Sequence, residues 1–364
     1  MPDTLPPHPI RCDIFCVVVD NYGDAGVCWR LAHQLAVEYG WQVRLFIDNP
    51  APLDRLAPDH AQSPVAVAPW PHAVLSPVPA DAMHDNPADV VIETFACTLP
   101  EFYIEAMAQR EGKPVWLNLE YLSAESWVGE MHGLPSPHPR LPLVKYFFFP
   151  GFDERTGGLL READYATRRL AFDAAAFRAG FGLPEKSPDA LTISLFSYPT
   201  APVAELMQTL AKADRPIHVL LPGSDAASFT QGALSTHPLP FLPQTRYDEL
   251  LWFCDLNFVR GEDSFVRAQW AEKPFVWQIY PQADDAHREK LDAFLGRYTQ
   301  KVGAGTTALP AFWHAWNGAG TLDWPAYAAA LPALTNSASH WSTALAKHRD
   351  LAGNLVQFCL ARLK

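Results

Sequence analysis

DIFCVVVDNYGDAG, residues 13–26, decides the fold. Asp13 to Val19 is a nearly continuous apolar run of strand length, and the turn-rich DNYGDAG follows before Val27 to Tyr39 takes up helical spacing. Strand, loop and helix in that order begin an α/β unit. Trp41 to Ile47 reads as a second strand, and Val65 to Ala68, Val90 to Ile92, Val115 to Leu119 and Tyr146 to Phe149 alternate with helical or turn-rich stretches. Such alternation predicts a parallel sheet covered by helices. Residues 51–87 are proline-rich and poor in charge, which predicts loops between short elements.

The strands stop at residue 150, and 151–186 reads as a charged, helical interdomain connection ending in GLPEKSPD. A second series begins at 187. Strands are expected at Leu191 to Phe196, Ile217 to Leu221, Leu256 to Val259 and Phe275 to Ile279. Helices are expected at Val203 to Ala213, Tyr247 to Phe253, Ser264 to Ala271 and Ala286 to Tyr298. The expected organisation is thus one lobe over 1–150, the connection over 151–186, a second lobe over 187–335 and a C-terminal segment over 336–364. Within that segment His340 to Leu363 reads as one amphipathic helix able to return to the first lobe.

Composition narrows the function. The chain has 364 residues, 49% hydrophobic and 19% charged, which at roughly 150 residues per domain suits two folded domains and excludes disorder. A formal charge of −12 opposes binding to a polyanion, so nucleic acid is not an expected partner. The six cysteines lie scattered with no CxxC pair and read as reduced, mostly buried thiols. No basic region followed by an apolar core opens the chain, and no apolar run approaches the ~20 residues of a membrane span. A cytoplasmic protein without a membrane partner is expected.

The chemistry concentrates in two turns. Asp20 and Asp24 stand four apart around Gly23, beyond the carboxyl end of the first strand, where open α/β sheets bind ligands. Taken alone, Asp24 before one helix reads as a cap, whereas Asp20 lies too far away for that. The turn lacks the first two glycines of GxGxxG and sets carboxylates where a dinucleotide's phosphates would lie, so NAD binding is disfavoured. GxxxxGK[ST], HExxH and GxSxG are also missing, and the thirteen histidines show no ligand spacing; no metal is expected. The second turn, Arg260-Gly261-Glu262-Asp263-Ser264, joins a strand to a helix. There Asp263 is placed to cap, while the Ser264 hydroxyl, the first helical N–H groups and the Arg260 guanidinium suit a diphosphate. Phe196, Tyr198, Gln244 and Tyr247 stand at element ends where aromatic faces stack on a base, although such residues are more often core.

DIFCVVVDNYGDAGVCWRLAHQLA, GGLLRE at Gly157 to Glu162, SLFSY at Ser194 to Tyr198 and NFVRGEDSFVRAQWAEKPFVWQIYPQ, in that order over both lobes, resemble the EarP family. That family comprises bacterial protein-arginine rhamnosyltransferases acting on translation elongation factor P. The resemblance implies the α/β GT-B fold, two Rossmann-like lobes facing across a cleft, and inverting transfer of L-rhamnose from dTDP-β-L-rhamnose to an arginine guanidinium nitrogen. It places the catalytic aspartate and the acceptor protein in the first lobe and the nucleotide sugar in the second. By motif position it makes Asp20 the general base, Asp24 a second essential carboxylate and Glu262 a third catalytic acid. Asn21, Tyr22 and Gly23 are assigned to donor binding, as are Phe196, Tyr198, Gln244, Tyr247, Arg260, Asp263 and Ser264. No cofactor or metal is implied. Position 247 is Tyr where the family leads one to expect Phe. Two other functions remain compatible with the bare residues: a nucleotide-sugar epimerase or GT-B transferase with a small acceptor, and a non-catalytic binding module. The latter has no need of paired carboxylates at a strand end.

Overall fold

The computed structural model describes residues 8–20, 22–70, 87–281, 286–302 and 307–363; Asn21 and 71–86 of the expected loop region lie outside them. The chain runs β1 (Arg11–Cys16), α1 (Gly23–Tyr39), β2 (Gln42–Ile47), α2 (Ala51–Leu56), a 3-10 turn at His60–Gln62, β3 (Ala66–Pro69), β4 (Val90–Thr94), α3 (Glu101–Gln109), β5 (Val115–Leu119), α4 (Val128–Met131), β6 (Pro135–Pro137) and β7 (Val144–Phe148). It continues with α5 (Tyr165–Leu170), α6 (Ala174–Gly180), β8 (Leu191–Leu195), α7 (Val203–Leu210), β9 (Ile217–Pro222), β10 (Thr230–Gln231), β11 (Leu234–Leu239), α8 (Gln244–Phe253), β12 (Leu256–Arg260), α9 (Asp263–Trp270) and β13 (Phe275–Gln278). Four helices close it: α10 (Ala286–Val302), α11 (Ala308–Trp316), α12 (Trp324–Leu345) and α13 (Leu351–Leu360).

Two compact units divide the chain, one formed by Met1–Ala163 with His348–Lys364 and the other by Asp164–Lys347. The first holds a seven-stranded sheet in the order β3-β2-β1-β4-β5-β7-β6, parallel except for β6, which pairs antiparallel with β7. The second holds a six-stranded sheet, β10-β11-β9-β8-β12-β13, parallel except for β10. Each order reverses direction once, between β1 and β4 and between β8 and β12. A crevice opens at such a switch point because the connecting helices on either side lie on opposite faces.

The first strand ends at Cys16, earlier than the apolar run suggests, and α1 starts at Gly23 rather than Val27. Hydrophobicity fixed the strand, but side-chain bonding in the turn fixed the helix start. The expected single helix over 340–363 is two. α12 ends at Leu345, and Asp350, in an extended conformation, accepts the Gly353 N–H at 3.1 Å to start α13. That second helix packs on α1. Gln34 Nε2 donates to Asp350 Oδ1 at 3.1 Å, and the Leu351 N–H donates to the Leu159 carbonyl at 3.0 Å. Gly158 makes this junction possible, since its φ is +80° and a Cβ there would meet the Arg349 carbonyl at 2.6 Å.

Each core encloses an ion pair. Arg44 on β2 grips Asp13 on β1 through two 2.6 Å bonds, while Arg267 on α9 grips Asp248 on α8 at 2.8 and 2.6 Å with both side chains fully buried. Removing one partner would strand a buried charge at about 3–5 kcal/mol. These pairs hold the scaffold rather than perform chemistry.

Candidate active site

In the first unit the carboxylates stand at the switch point, in the loop that leaves β1 beside β4. Asp24 is 3% exposed and lies inside the first turn of α1, where Tyr22 is the N-cap and makes no side-chain cap bond. Its Oδ2 accepts the N–H groups of Val19 and Asp20, both at 2.8 Å, and the Tyr121 hydroxyl donates towards its Oδ1 at 3.4 Å. Asp24 therefore does not cap the helix. It folds the preceding loop back onto the helix end, where the dipole favours an anion, and so sets the backbone of Asp20.

Asp20 is half-buried, and the Gly23 N–H donates to its carbonyl at 2.6 Å. Its Oδ2 occupies the space a side chain at 23 would need, for a Cβ there would lie 2.7 Å away. Glycine at 23 is a matter of close approach, not of φ. Tyr22 turns to α2, where its hydroxyl accepts from Arg55 Nη1 at 3.0 Å. Beside Asp24, Tyr121 stacks on Phe95 with centroids 4.3 Å apart and planes at 14°. Phe95 and Ala96 have φ of +57° and +55°, and left-handed backbone at non-glycine residues stores about 1–3 kcal/mol each. That strain lies at the carboxyl end of β4.

In the second unit Phe196 and Tyr198 leave β8 and Arg260 ends β12, again flanking the switch point. The Arg260 guanidinium lies 4.2 Å from the Phe196 centroid and 4.6 Å from that of Tyr198, and Nη1 donates to the Ser197 carbonyl at 3.1 Å. Tyr247 meets Phe196 edge-on at 5.7 Å. Its hydroxyl is buried beside Ser264 and Asp263, and burial pushes the phenol well above its usual range. Gln244 Nε2 donates to Asp263 Oδ2 at 3.1 Å.

One expectation for this turn is corrected. Asp263 does not cap α9, because Glu262 holds the N-cap position and Asp263 is turned to Gln244. The Ser264 hydroxyl is engaged within the turn, accepting the Arg260 N–H at 3.1 Å and donating to the Arg260 carbonyl. The structure thus gathers Phe196, Tyr198, Gln244, Tyr247, Arg260, Asp263 and Ser264 in one cluster of the second unit, with Glu262 at its helix end. Asp20, Tyr22, Gly23 and Asp24 gather in the first. Residues that the sequence did not single out complete both clusters. Tyr121 and Phe95 arrive from strands β5 and β4. Gln278 accepts the Tyr198 N–H at 2.7 Å and donates to Thr200 Oγ1 at 3.1 Å. Gln278 lies within the motif that begins at Asn257, so its neighbourhood was a signal; for Tyr121 there was none.

The family model of EarP, described as elongation-factor P (EF-P) rhamnosyltransferase, matches residues 12–360. A protein-arginine rhamnosyltransferase of Pseudomonas putida is 46% identical over 371 residues, covering 95% of this chain and 97% of its own length. One from Neisseria meningitidis serogroup B is 41% identical over 314 residues, covering 79% and 78%. A solved structure described as the structural basis for EarP-mediated arginine glycosylation of translation elongation factor EF-P is 35% identical, with a TM-score of 0.66 over 96% of this chain and 98% of that one. The calicheamicin glycosyltransferase CalG4, at 14% identity and a TM-score of 0.54 over 97% and 99%, shares the fold alone, which is GT-B.

Proposed function

Because the chain belongs to the EarP family of EF-P rhamnosyltransferases, we propose that it moves L-rhamnose from dTDP-β-L-rhamnose to a guanidinium nitrogen of one arginine of EF-P, inverting the anomeric carbon. The observation that carries this is the pair of carboxylates, Asp20 and Asp24, held at the switch point of the first unit by the motif the family shares. An arginine is a difficult acceptor. Its pKa above ~12 spreads a positive charge over three nitrogens, so none is a good nucleophile at rest. A fixed anion against the guanidinium localises the charge and aims one NH2 at the anomeric carbon. As the C–N bond forms and the bond to diphosphate breaks, a carboxylate takes the proton.

The Asp20–Asp24 turn supplies both functions. Asp24, anchored by two backbone N–H groups, supports the fixed anion, and Asp20 follows its placement. The second unit supports the donor. Arg260 and the α9 end carry the positive charge that a departing dTDP needs. The buried Tyr247 hydroxyl, beside Ser264, offers a hydrogen bond to a nucleoside, while Phe196 and Tyr198 flank it. A guanidinium over the Phe196 face means that a stacking base must displace it, which would couple base binding to release of Arg260 towards the diphosphate.

Incubation with dTDP-β-L-rhamnose and EF-P, followed by intact mass spectrometry of EF-P, should show one added rhamnosyl unit. Asp20→Asn and Asp24→Asn should each lower transfer by ~10²-fold or more with dTDP affinity retained. An EF-P of unchanged mass would refute the reaction, and near-normal turnover in either variant would remove that carboxylate from it.

A further inference from the structure

A cavity of 1070 Å³ opens in the second unit at the amino ends of its strands, where Ala190 and Leu191 lead into β8, Arg215 precedes β9 and Asp255 precedes β12. Phe196 and Arg260 stand at the opposite ends of those strands. The length of β8 separates the two places, about 16 Å at the usual ~3.3 Å rise per residue. The cavity therefore lies apart from the donor cluster, and its volume suits a drug-sized molecule. One wall is apolar. It is a face of α12 that presents Pro325, Ala328, Ala329 and Pro332 at helical spacing, with Trp324 at its end. A helix face turned to water is ordinarily polar, whereas Pro325, Ala329 and Pro332 are exposed here. Alanine and proline also lose no rotamer freedom when a flat ring is laid on them.

The rest of the lining carries charge, and the charges do not cancel. Lys186 Nζ donates to Asp255 Oδ1 at 2.7 Å and lies 4.9 Å from the Phe253 centroid, while Asp255 Oδ2 accepts the Thr192 N–H at 2.9 Å. That pair is neutral and held in place. Lys212 and Arg215, which follow α7, make no ion pair among the described residues, and Asp214 is the one other acid in the lining. Two cations against one acid leave the cavity positive in a chain whose formal charge is −12. The carboxyl end of α7 does not offset them. Free carbonyls at such an end repel anions, but here those of Met207, Thr209 and Leu210 accept the N–H groups of Ala211, Lys212 and Ala213, and that of Ala211 accepts the Ala233 N–H.

We propose that this cavity is a second ligand site, for a small amphipathic monoanion: a planar apolar ring system lies on the α12 face, and its one anionic group is held by Lys212 and Arg215. The guanidinium fork of Arg215 suits two oxygens of such a group, and Lys212 adds a mobile point charge. A single excess positive charge matches a single negative one. Occupancy is independent of the donor nucleotide, because the two sites share no residue.

Fluorescence titration of the full chain, saturated with dTDP, tests it with anilinonaphthalene sulfonate as the probe and phenylnaphthylamine, the same rings without the sulfonate, as the comparison. The sulfonate should bind saturably at one site, ~10-fold or more tighter than the amine. Lys212→Ser and Arg215→Ser should each weaken the sulfonate by ~10-fold and leave the amine unchanged, with parental thermal unfolding. Ala329→Trp, which fills the apolar wall from an exposed helical position, should abolish binding of both. Absent or unsaturable binding of the sulfonate overturns the site. So do equal affinities for the two probes, and so does parental sulfonate affinity in both serine variants. A dimer that the sulfonate dissociates would seat a second copy of this chain in the cavity and overturn the small-ligand reading.

Discussion

Gly23→Ala separates the position of the Asp20 carboxylate from the stability of the fold. Glycine in a helix is worse than alanine by about 1 kcal/mol in the interior and by less in a first turn, so folding should be unchanged or slightly better. Nothing in the backbone opposes the change, because Gly23 is absent from the residues of positive φ. The new Cβ, however, would fall 2.7 Å from Asp20 Oδ2 and 3.3 Å from its Cγ. To reach ordinary contact the carboxylate must retreat by about 0.7 Å, and since misplacement on the order of 1 Å can lower a rate by ~10²-fold, kcat should fall by roughly 10- to 100-fold. The assay is single-turnover transfer to EF-P, with dTDP titration and thermal unfolding alongside. Because the resemblance also assigns Gly23 to donor binding, the dTDP titration reports separately any loss on that side. A Gly23→Ala protein with parental kcat would show that the placement of Asp20 is immaterial, and the acceptor-side chemistry assigned to it would be wrong.

Three further outcomes are expected. Arg260→Ala should weaken dTDP binding by ~10-fold or more, as a charge-assisted contact to phosphate is lost, and unchanged calorimetry would place the cradle elsewhere. With leaving-group charge met by Arg260 and the α9 end, transfer should persist in excess EDTA; abolition by chelation and recovery with magnesium or manganese would show that a cation does that work. Burial holds His132 below the usual histidine range, so the folded chain binds fewer protons than the unfolded one just below pH ~6.5, and stability contributed by this site rises with pH across that window and is lost on acidification. Urea unfolding at pH 5 and 7.5 should show a smaller pH difference in His132→Asn, which keeps an acceptor for the Phe149 N–H; an undiminished difference would contradict the assignment.

The sequence determined much of this protein because its signals are local. Apolar runs of strand length alternating with helical spacing gave β1, β2, β3, β4, β5, β7, β8, β9, β12 and β13, since burial on a sheet needs only the right residues in succession. Two polar turns, DNYGD and RGEDS, stood out because charge is concentrated there at strand ends, and their family resemblance carried the reaction class. What the tertiary structure alone decided is where those side chains point. Whether Asp24 caps α1 or holds the Val19 and Asp20 N–H groups depends on the loop's path, which no propensity describes. Tyr121 meets Asp24 from 97 residues away, and Arg260 settles between Phe196 and Tyr198 from more than 60, because parallel strands distant in the chain end side by side. Strands β6 and β11 escaped notice for the converse reason: PSP and LSTHPL carry prolines and polar residues that argue against a strand, and only pairing with β7 and β9 supplies the missing stabilisation.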